Sequence, residues 1–167
     1  MITILYATSE QYAPVMLVSI KSLLDTKLPS TNYRVCIMVG DDFSHEMKYE
    51  VEQLFTLDGN CEVIWINMHG YFQHTVENSA GVGKHSNYRL LAAELVHEDR
   101  CIYLDADTLV LRDLSRFWSF DLKDMLLAGV HSEYFINKST GGYTHPHFEK
   151  YRQMMERHVG SLKYDQY

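Results

Sequence analysis

Cys101-Ile102-Tyr103-Leu104-Asp105-Ala106-Asp107-Thr108-Leu109-Val110 places two carboxylates, one residue apart, between two apolar runs. Carboxylates resist burial unless something compensates their charge. Set between core segments, the pair points to a bound cation. With oxygen ligands, a hard divalent ion, Mn²⁺ or Mg²⁺, is the natural match, and such an ion commonly bridges to a phosphate. Small Ala106 lets the backbone turn between the acids so that both can share one ion. The same spacing also serves a turn in which both side chains merely accept backbone hydrogen bonds.

Outward from this stretch, short apolar runs alternate with segments of helical period. Ile2–Ala7 reads as a strand. Ala13, Met16, Leu17, Ile20, Leu23 and Leu24 recur at spacings of three and four, with Pro14 in the first turn of that helix. Val35–Val39 reads as a second strand. Ser44 is placed to cap a helix whose inner side is Met47, Val51, Leu54 and Phe55, and Asp58-Gly59-Asn60 stops it. Val63–Asn67 is the third predicted strand. Residues 68–85 show no period, and an aperiodic stretch this long in a compact domain is usually functional or mobile. Tyr88, Leu91, Ala92 and Leu95 mark a third helix capped by Ser86 or Asn87. Ile102–Leu104 and Thr108–Leu111 read as a fourth and a fifth strand, Leu114–Phe120 as a helical turn, and Leu126–Val130 as a further strand. Phe148, Tyr151, Met155 and His158 line a last helix, with Pro146 in its first turn.

This alternation predicts an α/β fold: a Rossmann-like, mostly parallel sheet with helices on both faces. Ligands of such sheets gather at the carboxyl ends of the strands. Three informative places fall there: the turn from Ala7 to Tyr12, the segment Ser86 to Arg89, and Asp105-Ala106-Asp107. The chain has 167 residues, 46% of them hydrophobic, enough for one domain with a real core. Its formal net charge of −7 argues against a nucleic-acid partner, which usually meets a basic face. Cys36, Cys61 and Cys101 lie in or beside strand-like runs without a C-x-x-C spacing, which reads as reduced thiols in a cytoplasmic protein. Met1 leads straight into the first strand, with no signal core or membrane span at that point. The nine histidines form no H-x-x-x-H or H-E-x-x-H pattern and read as surface or loop residues, with His85 nearest to Arg89.

Tyr103-Leu104-Asp105-Ala106-Asp107-Thr108-Leu109-Val110 resembles the extended D-x-D signature of the family-eight retaining glycosyltransferases, the family of glycogenin, galactinol synthases and bacterial lipopolysaccharide galactosyl- and glucosyltransferases. Ala7-Thr8-Ser9-Glu10-Gln11-Tyr12 resembles the family's A-T-D-x-x-Y turn. Ser86-Asn87-Tyr88-Arg89-Leu90 resembles its segment with a basic residue ahead of the D-x-D strand, and Leu111 to Trp118 the stretch that follows it. The resemblance implies the glycosyltransferase A-type fold and transfer of a hexose, with retention, from a UDP-sugar to a saccharide or glycolipid acceptor, as in surface-glycan or lipopolysaccharide synthesis. It implies that Asp105 and Asp107 hold Mn²⁺, with Mg²⁺ as the alternative, on the UDP diphosphate. Ala7, Thr8 and Ser9 would border the nucleoside, Tyr12 would stack on uracil, Arg89 would face the diphosphate or donor sugar, and Ala106 would belong to the donor-binding turn. Work at the inner face of a membrane is consistent with such acceptors.

The sequence also departs from the family. Ser9 stands where an aspartate usually meets uracil, so that contact lacks charge assistance. Ser132 and Glu133 occupy the neighbourhood of an acceptor-side aspartate. The F-N-x-G, D-Q-D and H-x-x-G-x-x-K-P-W motifs are not found, and His145-Pro146-His147 does not replace the last. Residues 1–167 therefore read as the donor-binding portion of a catalytic domain, with an unpaired sheet edge open to self-association. A non-enzymatic nucleotide-sugar-binding module is the alternative. A haloacid-dehalogenase-type phosphatase also sets two aspartates after a strand, but as D-x-D-G-T-L after the first one; here Thr108 follows Asp107 directly.

Overall fold

The strands β1 (Ile2–Ala7), β2 (Tyr33–Val39), β3 (Glu62–Asn67) and β4 (Ile102–Tyr103) form one all-parallel sheet in the order β3-β2-β1-β4. The structure, a computed structural model, describes residues 1–56, 58–73, 84–123 and 125–129. The chain divides into two compact units, Met1–Phe120 and Asp121–Tyr167, and the sheet lies in the first.

β1 is buried along its whole length because both faces of the sheet are covered. Ile4 and Tyr6 face the same cluster as Val35, Ile37 and Val39 of β2, and the apolar sides of α1 (Ala13–Thr26) and α2 (His45–Phe55) close that cluster. Leu5 and Ala7 alternate to the other face and join Cys36, Met38, Met68, Tyr88 and Val96. The expected α/β sheet with helices on both faces is therefore present.

The two long helices follow the sequence pattern. In α1, Pro14 occupies the first turn and Ala13, Met16, Ile20 and Leu23 are buried. Ser19 reaches the Tyr6 hydroxyl at 2.9 Å inside the core. Burial pushes the Tyr6 phenol up to about 12, against the opposing pull of the Ser19 hydrogen bond. At the start of α2 the Ser44 hydroxyl oxygen accepts from the Met47 N–H at 3.1 Å. The Glu10 carboxylate accepts from the Ser44 N–H at 3.0 Å and from the Ser44 O–H at 2.6 Å. That contact ties the turn after β1 to the start of α2. Ser44→Ala removes both the cap and one of the Glu10 bonds, with an expected cost of about 1–2 kcal/mol in a urea melt. A change below about 0.3 kcal/mol would show that the cap is energetically idle.

Three segments differ from the sequence reading. The predicted third helix is a 3-10 helix over Lys84–Leu91 followed by the single α-helical turn α3 (Ala92–Leu95). Ser86 and Asn87 lie inside the 3-10 helix rather than capping it. Apolar residues three apart suit either helix type, and here the buried Tyr88 anchors the tighter one. Thr108–Leu111 pairs with no strand among the described residues. The segment instead meets α1, where the Val110 N–H donates to the Ser22 hydroxyl at 2.9 Å. In the second unit, residues 126–129 form no strand among the described residues, and Leu126 and Leu127 are exposed. The predicted last helix lies outside the described residues.

The predicted turn near Trp118 is α4 (Ser115–Trp118), and Asp113 just before it fastens three elements. Its carboxylate accepts from the Leu28 N–H at 2.8 Å, the Ser115 N–H at 2.8 Å and the Tyr33 hydroxyl at 3.3 Å. The Tyr33 oxygen in turn accepts from the Leu114 N–H at 3.0 Å. Burial works against the charged form of Asp113, yet the bonds from Ser115, Leu28 and Thr31 outweigh it and hold the carboxyl well below the usual range.

Candidate functional site

Parallel strands deliver their carboxyl ends to one rim of the sheet. β1 ends at Ala7, and the Thr8 N–H continues the ladder to the Met38 carbonyl at 3.2 Å. On the other side of β1, Ile4 pairs with Ile102 and Leu5 with Tyr103, and the Leu104 N–H donates to the Leu5 carbonyl at 3.0 Å. The same register carried forward sets Asp105 level with Ala7. The acidic turn and the turn after β1 therefore leave the sheet side by side.

The backbone turns between the acids, as the spacing requires. The Thr108 N–H donates to the Asp105 carbonyl at 3.0 Å, so Asp105 and Asp107 are the first and third residues of one hydrogen-bonded turn. Ala106 points inward and is buried, whereas both carboxylates are exposed. The Asp105 Oδ1 accepts from the Tyr103 hydroxyl at 2.9 Å and from Arg89 Nη1 at 3.0 Å. The guanidinium lies over the Tyr103 ring, 5.3 Å from its centroid. Burial, followed by the bond to Asp105, pushes the Tyr103 phenol up to about 12, while Arg89 acts in the opposite sense. The resemblance implies that Arg89 faces the diphosphate or donor sugar; its partner in the structure is Asp105.

Asp107 has no hydrogen-bond or ion-pair partner among the described residues. It borders a hollow of about 280 Å³ with Thr108, Leu109, Ser19 and Pro14, Val15 and Val18 of α1. The start of α1 directly follows Tyr12, so the β1 turn reaches this side of the acidic turn as well. Within that turn, Thr8 is buried, Ser9 is half-buried and accepts the Tyr12 N–H at 3.1 Å, and the Tyr12 ring is 57% exposed. An exposed, flat ring at a ligand rim is free to stack.

A hard divalent ion asks for several oxygen ligands. The Asp107 carboxylate, unpaired among the described residues, and the Oδ2 of Asp105 on one turn fit part of such a set. Among the described residues no group of three or more His, Cys, Asp or Glu side chains is disposed to hold a metal. The remaining positions would be open to water and to the oxygens of a ligand.

A second polar group lines the rim beyond β2. The Asp41 carboxylate pairs with the His69 ring, and the His69 backbone N–H donates to Asn67 Oδ1 at 2.9 Å. Asp42 stands 3.6 Å from His85 Nε2. His85 is not the solvated loop residue its sequence context suggests. Its ring meets the edge of Tyr88 at 5.3 Å and is largely enclosed. Two contacts at the site had no sequence signal of their own. Tyr103 sits in an apolar run and reads as core, and the Glu10–Ser44 bond joins residues far apart in the chain.

Glycosyltransferases are among the solved structures that share this sheet. The galactosyltransferase LgtC in complex with donor and acceptor sugar analogs is similar over 74% of this chain and 44% of its own, with 27% identity and a TM-score of 0.62. The bifunctional glycosyltransferase WbbM shares the fold over 73% of this chain and 21% of its own, at 18% identity and a TM-score of 0.60. The sequence profile of glycosyl transferase family 8 matches residues 3–160, and the chain belongs to that family. General stress protein A of Bacillus subtilis (strain 168) is 36% identical over 62 residues, which are 35% of this chain and 21% of that protein. The chain thus spans less than half the length of these relatives. Among the described residues, no helix is long and apolar enough to cross a membrane.

Proposed function

We propose that this chain carries the donor site of a metal-dependent hexosyltransferase that uses a UDP-sugar and moves glucose or galactose, with retention, to a saccharide or glycolipid acceptor. The observation that carries the reading is the turn at the sheet rim, with two exposed carboxylates and an arginine against the first. Family membership and the likeness to a galactosyltransferase with donor and acceptor sugar analogs support it.

Asp105 and Asp107 would hold Mn²⁺ or Mg²⁺, which supplies charge neutralisation at the diphosphate and eases departure of UDP. Ala7, Thr8 and Ser9 form the wall beside the nucleoside, and Tyr12 offers its ring to uracil. Arg89 supplies a fixed positive charge for the phosphates. Ser9 accepts from the uracil N–H without charge assistance, so its share of uridine preference is smaller than an aspartate's would be. A glycolipid acceptor would bring the protein to the inner face of a membrane.

Calorimetric titration with UDP tests this reading. Saturable binding is expected with Mn²⁺ present and not with a chelator. Equal affinity in the two conditions would remove the metal from the account.

A further inference from the structure

Asp105 already has a cation. Arg89 Nη1 and the Tyr103 hydroxyl both donate to Oδ1, at 3.0 and 2.9 Å, while among the described residues nothing pairs with Asp107. The contact is open to solvent, with side-chain exposures of 43% for Arg89 and 60% for Asp105. An exposed pair of this kind shifts an equilibrium by no more than about fivefold, so it breaks easily. The backbone beneath Arg89 is held in place: Tyr88 is 1% exposed and packs with Leu5, Met38 and Met68. Only the Arg89 side chain has to move for its partner to change.

From this geometry we infer that Arg89 is a stand-in cation, neutralising Asp105 when no divalent ion is bound and freed for the diphosphate when one is. The inference rests on the metal and diphosphate reading of the turn. Two carboxylates on one short turn repel, and Arg89 offsets half of that charge in the free protein. Once Asp105 ligates an ion through Oδ2, its charge is neutralised, the guanidinium faces a like charge and its contact with Oδ1 weakens. The nearest compensating anion is then the phosphate, whose oxygens match the guanidinium fork. Arg89 thereby opposes binding of the metal alone and favours metal and nucleotide together.

The test compares wild type, Arg89→Gln, Arg89→Lys and Asp107→Ala. Free Mn²⁺ is followed by its electron paramagnetic resonance signal, and UDP binding at saturating Mn²⁺ by calorimetry. Arg89→Gln should bind Mn²⁺ alone about two- to fivefold tighter and UDP with Mn²⁺ about tenfold weaker. Arg89→Lys keeps the charge and should leave Mn²⁺ affinity near that of the wild type. A residue needed only for local structure would weaken both ligands, so opposite signs are the signature of the exchange. Unchanged or weaker Mn²⁺ binding by Arg89→Gln overturns the inference. If Asp107→Ala loses Mn²⁺ while Arg89→Gln gains nothing, the stand-in role fails and the metal site stands. If wild type and Asp107→Ala bind Mn²⁺ alike, or neither binds it, both fail.

Discussion

Asp107→Ala should abolish metal-dependent binding of UDP, lowering affinity in Mn²⁺ by at least about 100-fold. The turn offers two carboxylates, and Asp105 shares one of its oxygens with Arg89 and Tyr103. Asp107 has no competing partner among the described residues, so its carboxylate is the freer ligand. Removing it leaves Asp105 to hold an ion against a neighbouring guanidinium. The variant should fold normally, because truncating an exposed side chain with no hydrogen-bond or ion-pair partner among the described residues typically moves stability by less than about 0.5 kcal/mol. Calorimetry with and without chelator reads the effect, and Asp41→Ala, on the neighbouring rim beyond β2, is the control expected to keep wild-type affinity. Persistence of metal-dependent binding in Asp107→Ala would move the ion elsewhere.

The largest stability effect should come from Asp113→Ala. The carboxylate takes hydrogen bonds from Leu28, Ser115 and Tyr33, and joins the loop after α1, the start of β2 and the start of α4. Truncation leaves those donors without their acceptor, at a cost of about 2–3 kcal/mol in urea unfolding near neutral pH. Acid should erase the difference. A carboxyl held below its ordinary range contributes stability that is present above the unfolded value, near 3.9, and is lost as pH falls through the lower folded value. The gap between wild type and variant should therefore be full at pH 7 and shrink below about pH 4. A gap that is constant with pH, or absent at pH 7, would show that the carboxylate is not the fastening.

These two aspartates mark what was legible in the chain and what was not. Asp105 and Asp107 stand out because two acids between apolar runs need an explanation. Asp113 follows a similar run and has one local partner in Ser115, yet its other two lie some eighty positions away on α1's trailing loop and β2, and no local pattern announces those. The central strands were readable because a strand buried on both faces is apolar at nearly every position, and α1 and α2 because their buried residues keep the helical period. Leu109, Val110 and Leu111 misled by the same logic. They alternate exposed, buried, exposed, as a strand would, but alternation does not say whether a neighbour is free to pair. The segment instead meets α1, through the Val110 N–H and the Ser22 hydroxyl. Arg89 was found from its position near the rim, whereas its engagement with Asp105 depends on where a 3-10 helix anchored by Tyr88 meets the end of β4. That is a tertiary fact without a sequence period.

The proposed donor site brings a divalent ion and a uridine diphosphate together at the turn between Asp105 and Asp107. Paramagnetic broadening tests it most directly: Mn²⁺ and UDP are added to isotopically labelled protein, with Mg²⁺ and UDP as the diamagnetic control. The expected result is preferential loss of the amide signals of Ala7, Thr8, Ala106, Asp107 and Thr108. Broadening centred on Asp41, Asp42 and His69, or none beyond that caused by free Mn²⁺, would contradict it.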